Sequence, residues 1–255
     1  MLDKVENDEE HKYIIQEYVC NPMTIKGYKF DFRIFWLVAS VDPLVVLWHP
    51  GHLRVIENQK SNQLMKNWNS TEAHLGNFHG SGTGKSWATF AENLEATKKR
   101  SKNLKKKIDA LADSGMHHVE NQVKHSLANL VDAFKGVTFT NNGTSTENKF
   151  GFYCADYVID KDLDVYIIEP QAGCGMLKEA WVSESWKSWN EVNVQLTEGM
   201  AEILKIVTKQ QELGRPLDNE ALEHAAGSAY EVVYNDGWVY EYEGYERVAK
   251  KGCEM

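Results

Sequence analysis

The stretch KFDFRIFWLVAS, residues 29–40, decides the fold of this 255-residue chain because its apolar and charged residues alternate. One side of the alternation is aromatic and aliphatic: Phe30, Phe32, Ile34, Trp36 and Val38. Lys29, Asp31 and Arg33 begin the other side. A period of two with aromatic and β-branched residues is typical of a β-strand. The sequence therefore predicts a strand with one buried face and a stripe of charge at the start of the other.

Shorter apolar segments on both sides of this strand extend it into a sheet. Residues 13–19 (YIIQEYV) predict a strand before it, and residues 44–48 and 52–56 predict two short strands after it. The dipeptides Asp42-Pro43 and Pro50-Gly51 separate these strands, because proline and glycine favour turns. We expect the strands to form an antiparallel meander.

Helical patterns and a second pair of strands follow. Two helices are predicted at residues 86–112 and 117–135, and strands at about 150–159 and 164–169. Apolar residues recur three or four positions apart in the second helix and again near residue 200: Val119, Val123, Leu127, Leu130, Val131 and Phe134, then Val192, Leu196, Met200, Ile203 and Val207. The expected fold class is α+β, a mainly antiparallel sheet flanked by helices.

Composition excludes several classes of function. The formal net charge of −9 argues against nucleic acid as a partner. No apolar run approaches the ~20 residues that span a bilayer, so we expect no membrane contact. The acidic start of the chain is not a secretory signal. Four cysteines lie far apart, so neither a zinc site nor a disulfide framework is expected, and the cytoplasm is the predicted location: Cys20, Cys154, Cys174 and Cys253.

The pair of strands near residue 160 carries candidate metal ligands. A turn at Asp162 would place Asp156 opposite Glu169, and like charges that face each other in a sheet are unfavourable unless a cation lies between them. Gln171 lies two residues after Glu169 and points to the same side. This set of oxygen ligands suits Mg²⁺. The alternative is a pair of surface acids on a solvent-facing hairpin, and the charged stripe on residues 29–33 has a similar alternative as a wet strand face.

Five motifs occur in a fixed order: YIIQEYV, KFDFRIFWLV, HPGHLRV, HLGN and CADYVIDKDLDVYIIEPQ. Over residues 12–175 they resemble the tubulin–tyrosine ligase-like family. Its catalytic domain shows Gln-x-Tyr, Lys-Phe-Asp-x-Arg, Gly-x-Leu-Arg, Leu-Thr-Asn, and a Phe-Asp pair followed by Glu-x-Asn. The sequence departs from that pattern in places: Gln171 replaces an asparagine and Gly76 replaces a threonine.

The resemblance implies the C-terminal half of an ATP-grasp fold. Residues 13–210 would form a partial catalytic domain that includes a helical segment at 86–135. An acidic N-terminal segment, 1–12, and an acidic C-terminal tail, 211–255, would flank it. The family's upstream portion, with lysines that grip phosphates, is expected to be missing.

The resemblance also implies roles for individual residues. Those resembling adenine and nucleotide contacts are Gln16, Tyr18, Val19, Lys29 and Asp31. Those similar to the family's carboxylate-binding arginines and its asparagine near the phosphates are Arg33, Arg54 and Asn77. Those matching its magnesium ligands are Asp156, Glu169 and Gln171.

The implied reaction uses ATP and Mg²⁺ to join a free amino acid to a carboxylate of tubulin or another acidic protein tail, through an acyl phosphate. The cytoskeleton or the cilium would then be the site of action within the cytoplasm. Two alternatives stay open: a non-catalytic nucleotide- or tubulin-binding relative, and a ligase for another protein or peptide. The basic run at residues 98–107 is either a solvated helix face or a surface that attracts the acidic acceptor.

Overall fold

The computed structural model of the chain describes residues 15–60, 82–111, 114–138, 149–172, 174, 187–227 and 229–244. In these ranges the strands are β1 (Thr24–Ile25), β2 (Tyr28–Val41), β3 (Leu44–Lys60), β4 (Gly82–Lys85), β5 (Gly151–Ile159), β6 (Val165–Gln171), β7 (Glu231–Asn235) and β8 (Trp238–Val239). The helices are α1 (Trp87–Arg100), α2 (Lys102–Asp109), α3 (Gly115–Thr138), α4 (Lys187–Glu212) and α5 (Asn219–Ala225). Of the helices in these ranges, none is long and apolar enough to cross a bilayer. The α+β fold class is confirmed.

The strands form one sheet in the order β6–β5–β2–β3–β7–β8, with β1 added to β2 and β4 added to β3. Every pair of neighbours is antiparallel. The long strand β2 lies in the middle, between β3 and β5, so both of its edges are hydrogen-bonded. Its central position explains why the predicted aromatic face is almost completely buried.

Strand β3 is continuous, so the prediction of two short strands at 44–48 and 52–56 is wrong. The Pro50-Gly51 pair lies inside the strand, where the register with β2 shifts between Arg33 and Phe35. Gly51 has φ +68°, and a Cβ atom there would collide with the carbonyl oxygen of Arg33. Glycine therefore permits a β-bulge at this position, where the sequence pattern predicted a turn.

Two other predicted elements differ from the structure. Of the strand predicted at 13–19, residues 15–19 belong to no strand and are mostly exposed, whereas residues 13 and 14 lie outside the described residues. The predicted helix at 86–112 is broken into α1 and α2 at Ser101, whose backbone is extended. The Ser101 hydroxyl accepts a hydrogen bond from Leu104 N at 3.2 Å, so serine caps the second helix rather than continuing the first.

The residues beyond 215, to which the sequence analysis assigned no structure, supply α5, β7 and β8. Strand β7 pairs with β3, with Leu47 opposite Val232 and Val45 opposite Asn235. The apolar run of β7 is only three residues long and is surrounded by acids, which gives little periodic signal. Its side chains are nevertheless buried, and they complete one edge of the sheet.

The two faces of the sheet are covered differently. The aromatic face of β2 packs against α1, α2 and α3 through the larger apolar cluster, which includes Phe30, Phe32 and Phe90. The opposite face packs against α4 and α5 through Phe35 and Leu37. Four of the five apolar residues predicted to line the helix near residue 200 are buried there, and Met200 packs against the cluster's edge. Asp31 and Arg33 precede Phe35 on this second face, so the charged stripe lies beside the α4 and α5 layer.

Candidate functional site

Three neighbouring strands bring four charged side chains together. Arg33 of β2 lies directly opposite Asp156 of β5, and Asp31 of β2 lies opposite Arg54 of β3. Side chains of directly opposed residues point to the same side of a sheet, so all four share one face. Their exposed fractions are 8% for Asp31, 8% for Arg33, 3% for Arg54 and 3% for Asp156. The charged stripe is therefore not a wet strand face.

Ion pairs connect the four residues into one chain. Arg33 binds Asp156 through two hydrogen bonds, from Nε to Oδ1 and from Nη2 to Oδ2, both 2.8 Å long. Arg54 donates from Nη2 to Asp156 Oδ2 at 2.8 Å and from Nε to Asp31 Oδ1 at 2.5 Å. Asp156 thus holds both arginines, and Asp31 holds the second one from its other side. Bidentate and charge-assisted bonds of this kind fix the guanidinium groups in place.

Burial and charge act against each other in this cluster. Burial raises the pKa of Asp31, although the Arg54 guanidinium opposes the shift. Burial also disfavours the charged form of Arg54, but the carboxylates of Asp31 and Asp156 outweigh it and raise the pKa of Arg54. Lys29 has its pKa lowered by burial, with Asp31 opposing. Arg54 therefore keeps its positive charge although it is buried.

The hairpin of β5 and β6 adds an exposed edge to the cluster. Glu169 lies directly opposite Asp156, as the sequence predicted. Gln171 Nε2 donates to Asp156 Oδ2 at 3.2 Å and also to Glu169 Oε1, and Gln171 Oε1 accepts from Arg33 Nη2 at 3.1 Å. Glu169 is exposed whereas Asp156 is buried, so the hairpin joins the buried charges to solvent.

The donor set of the hairpin is compatible with a hard cation. Asp156, Glu169 and Gln171 offer only carboxylate and amide oxygens, the ligands that Mg²⁺ prefers. Among the described residues, no group of three or more His, Cys, Asp or Glu side chains is arranged to hold a metal ion. A magnesium site here therefore depends on the amide oxygen of Gln171 as the third ligand.

The other predicted site residues that the structure describes make contacts outside the four-residue cluster. Tyr18 contacts Lys29, whose Nζ donates to its hydroxyl at 3.2 Å and lies 5.0 Å from its ring centre. Gln16 donates from Nε2 to the carbonyl oxygen of Ile168 in the edge strand β6 at 3.1 Å. Val19 is partly buried. The last of the predicted residues, Asn77, lies outside the residues that the structure describes.

His52 is a site residue to which the sequence analysis assigned no role. It lies directly opposite Arg33 and is 0% exposed. Burial lowers its pKa well below the usual value, and Arg54 and Arg33 lower it further. A neutral imidazole therefore fills the space beside the two guanidinium groups. The signal in the sequence was the spacing of His52 and Arg54, since residues two apart in a strand share a face.

A disulfide bond lies on the same face and was not expected. Cys154, two residues before Asp156, is bonded to Cys174, three residues after Gln171, with the two Cα atoms 5.7 Å apart. The expectation that the scattered cysteines form no disulfide is wrong. The strand hairpin brings together residues that are 20 positions apart, and this proximity was not visible in their spacing. The bond attaches the segment after β6 to the strand that carries Asp156.

An antiparallel sheet with helices on both faces, carrying two buried arginines paired with carboxylates beside an oxygen-rich hairpin, defines the α+β architecture of this protein. The profile of the tubulin-tyrosine ligase family matches residues 1–172, about two thirds of the chain. The chain belongs to this family, whose fold is ATP-grasp-like.

Tubulin-modifying ligases match parts of the chain. The chain is 46% identical over 54 residues to the tubulin polyglutamylase TTLL7 of Mus musculus, and the aligned stretch covers 21% of the chain and 6% of that protein. It is 26% identical over 172 residues to the tubulin polyglutamylase TTLL5 of Mus musculus, covering 63% of the chain and 12% of that protein. It is 43% identical over 49 residues to the tubulin glycylase 3C of Tetrahymena thermophila, covering 19% and 4%. The chain therefore spans a small part of these relatives' lengths.

Proposed function

We propose that this chain carries the carboxylate-binding part of an ATP-dependent ligase, which joins an amino acid to a carboxylate of tubulin or of another acidic protein tail. One observation carries the proposal. Arg33 and Arg54, both buried and both charged, converge on the carboxylate of Asp156. Guanidinium groups fixed in this way can bind a substrate carboxylate through paired hydrogen bonds.

The proposed reaction brings several anions together. The γ-phosphoryl group of ATP passes to the acceptor carboxylate, which gives an acyl phosphate and ADP. The amine of the incoming amino acid then attacks the acyl carbon, phosphate leaves, and an amide bond forms. Arg33 and Arg54 would neutralise the carboxylates before and during transfer, and burial strengthens this effect because little water competes. Exclusion of water also protects the acyl phosphate from hydrolysis.

We propose positions for the nucleotide and the metal from the family resemblance of the residues around the arginines. Asp156, Glu169 and Gln171 would hold Mg²⁺, which offsets the negative charge of the phosphate groups when it is bound. Lys29 and Asp31 would contact the nucleotide. The segment of Gln16, Tyr18 and Val19 is proposed to meet the adenine, and Tyr18 already contacts Lys29.

An exposed surface supports an acidic partner. The basic surface is formed by five exposed cations on α1 and α2: Lys99, Arg100, Lys102, Lys105 and Lys106. It lies behind the aromatic face of the sheet, since α1 and α2 pack on that face. In a chain of net charge −9, such a surface would attract an acidic tail over a distance. We propose the cytoskeleton or the cilium as the site of action, because the relatives are named as tubulin-modifying enzymes.

Two measurements test the proposal. Calorimetric titration with a non-hydrolysable ATP analogue, with and without Mg²⁺, should show magnesium-dependent binding that weakens in Asp156→Asn and Glu169→Gln. Circular dichroism checks that each variant is folded, and Glu169→Gln is the safer variant because Glu169 is exposed. Incubation with tubulin, ATP, Mg²⁺ and glutamate, glycine or tyrosine should add one of these residues to a tubulin tail, identified by its mass. A folded chain that binds neither analogue nor tubulin contradicts the proposal.

A second candidate is a non-catalytic relative that binds a nucleotide or tubulin. The observation that favours it is that Asp156 is already engaged by Arg33, Arg54 and Gln171. Binding of tubulin without transfer of any of the three amino acids would support this candidate. Transfer to other acidic proteins but not to tubulin would instead identify a ligase with a different acceptor.

A further inference from the structure

Gln171 lies between the two carboxylates that the hairpin brings together. Its Nε2 donates to Asp156 Oδ2 at 3.2 Å and also to Glu169 Oε1. Asp156 and Glu169 are directly opposite each other on β5 and β6. The amide NH₂ group therefore occupies the position that a cation would take if it bridged the two carboxylates.

The other end of the same amide contacts Arg33. Gln171 Oε1 accepts from Arg33 Nη2 at 3.1 Å, and the same Nη2 donates to Asp156 Oδ2 at 2.8 Å. The amide is thus oriented from both ends, with its donor toward carboxylates and its acceptor toward a guanidinium. To present its oxygen to a cation between the carboxylates, the amide must turn. Turning places the NH₂ group against Arg33, which has only donors, so the contact with Arg33 is lost.

Asp156 provides a second link between the cation position and the arginines. Its Oδ2 accepts hydrogen bonds from Arg33, Arg54 and Gln171, which exceeds the two lone pairs of one carboxylate oxygen. A cation at this carboxylate competes with these donors and repels both guanidinium groups. Because both arginine side chains are buried, losing Asp156 would leave Arg33 without its carboxylate partner and Arg54 with Asp31 alone, and this favours binding of another anion.

We propose that Gln171 and Asp156 form a latch that couples cation binding at the hairpin to carboxylate binding at Arg33 and Arg54. In the arrangement described above the latch is closed, and Asp156 holds both arginines. When a divalent cation is bound at the hairpin, the Gln171 amide turns and Asp156 releases the arginines. The arginines then bind a substrate carboxylate. This inference rests on the proposed function, which supplies the two classes of ligand, a divalent cation and a carboxylate. It adds that each ligand strengthens the binding of the other by the same factor.

Calorimetric titration of the chain tests the latch without nucleotide and without transfer. Mg²⁺ alone, free glutamate alone, and each ligand in the presence of saturating amounts of the other are titrated. We expect Mg²⁺ to lower the Kd of glutamate by at least about fivefold, and glutamate to lower the Kd of Mg²⁺ equally. A second arm uses a glutamate peptide blocked at both ends. Coupling with this peptide identifies the acceptor tail as the ligand, and coupling with free glutamate alone identifies the incoming amino acid.

The variant Gln171→Met separates the latch from simple attraction between Mg²⁺ and a carboxylate. It removes the amide, keeps an unbranched side chain of similar length and lies on the edge strand β6, so the fold should persist. Asp156 and Glu169 should still bind Mg²⁺, although more weakly, so the variant is titrated with glutamate at a correspondingly higher Mg²⁺ concentration. The coupling factor should then fall toward one. The matched control is Gln211→Met on α4, whose side chain donates to Ser40 Oγ at 3.0 Å and lies in a different part of the fold. It should keep the wild-type factor.

Each remaining outcome overturns the latch. If Mg²⁺ and glutamate bind independently or weaken each other, the latch is absent while the proposed function stands. A factor that persists in Gln171→Met means that charge attraction alone couples the ligands. If the folded wild-type chain binds neither ligand, the latch and the proposed function fail together.

Discussion

The buried charges of the site and the exposed charges of the basic surface lie on opposite sides of one sheet and are organised in opposite ways. Arg33 and Arg54 each bind Asp156 at 2.8 Å, and their side chains are no more than 10% exposed. In the part of the chain that the structure describes, the five cations of the basic surface make no ion pair. The first group is neutralised locally, whereas the second projects its field into solvent.

This difference predicts separate consequences for stability and for binding. A buried charge that loses its partner is strongly destabilising, because water cannot replace the partner. An exposed charge contributes little to stability, and its long-range attraction is screened by salt. Substitutions in the site should therefore change the free energy of unfolding, and substitutions in the basic surface should change association at low salt.

The largest effect is expected for Asp156→Ala. The substitution leaves Arg33 and Arg54 buried without their shared carboxylate, and it should lower the free energy of unfolding by about 3–5 kcal/mol. Urea unfolding measures the loss. The matched control is Asp109→Ala, which breaks an ion pair with Lys98 of 3.1 Å at the surface and should cost less than about 1 kcal/mol. Equal losses in the two variants would remove the distinction between the two regions.

An intermediate effect is expected from His49, which is 2% exposed and whose Nδ1 accepts a hydrogen bond from Gly51 N at 2.9 Å. Burial lowers its pKa to about 4 from the usual 6.5. Because the folded-state pKa is the lower one, the unfolded chain binds a proton at His49 more readily than the folded chain does. The contribution of the neutral His49 to the free energy of unfolding is therefore present above pH 6.5 and is lost as the pH falls through 4. The loss should reach about 3 kcal/mol, and urea unfolding between pH 7 and pH 4 measures it.

The variant His49→Asn should reduce this pH dependence, and His117→Asn, which replaces an exposed histidine on α3, is the matched control. Asp31 changes the free energy of unfolding with pH in the opposite direction. Its folded-state pKa is raised, so its stabilisation is present below pH 3.8 and is lost as the pH rises through the folded value. The comparison is therefore made between each variant and the wild type. Equal slopes for His49→Asn and the wild type would show that His49 does not titrate in the folded protein as burial predicts.

The smallest effect on stability is expected at the basic surface. Lys105→Glu with Lys106→Glu should change the free energy of unfolding by less than about 0.5 kcal/mol. The same double variant should weaken tubulin binding several-fold at low salt and less at physiological salt, because salt screens exposed charges. Cosedimentation with microtubules measures the binding. The control variant Lys205→Glu with Lys209→Glu on α4 reverses the same number of charges elsewhere and should weaken tubulin binding less. Unchanged tubulin binding in Lys105→Glu with Lys106→Glu would refute the role of the basic surface.

The elements that the sequence predicted correctly are those with a strong periodic pattern of apolar residues. The alternation in residues 29–40 and the apolar spacing in the long helices survive in the structure, because each encodes one buried face. Of the stripe predicted for the second helix, Val119, Val123, Leu127 and Val131 are buried, but Phe134 is 47% exposed. A stripe alone does not say how far the covering layer extends.

The rest depended on contacts between distant segments. The pairing of Arg33 with Asp156 requires a register between strands 123 residues apart, and no local pattern encodes it. The sequence did predict that Asp156 faces Glu169, because a short turn fixes the register of that hairpin. Pro50-Gly51 was misinterpreted because the same residues serve turns and β-bulges, and only the neighbouring strand decides between them.

The pairing of β7 with β3 has a consequence during synthesis. Leu47 and Val232 are about 185 residues apart, so the ribosome completes β3 roughly 10–40 s before β7 exists. In that interval the edge of a long apolar strand offers unpaired backbone groups to other chains. A nascent chain is therefore most exposed to misassembly before residue 235, and we expect chaperone contact to end once β7 has emerged.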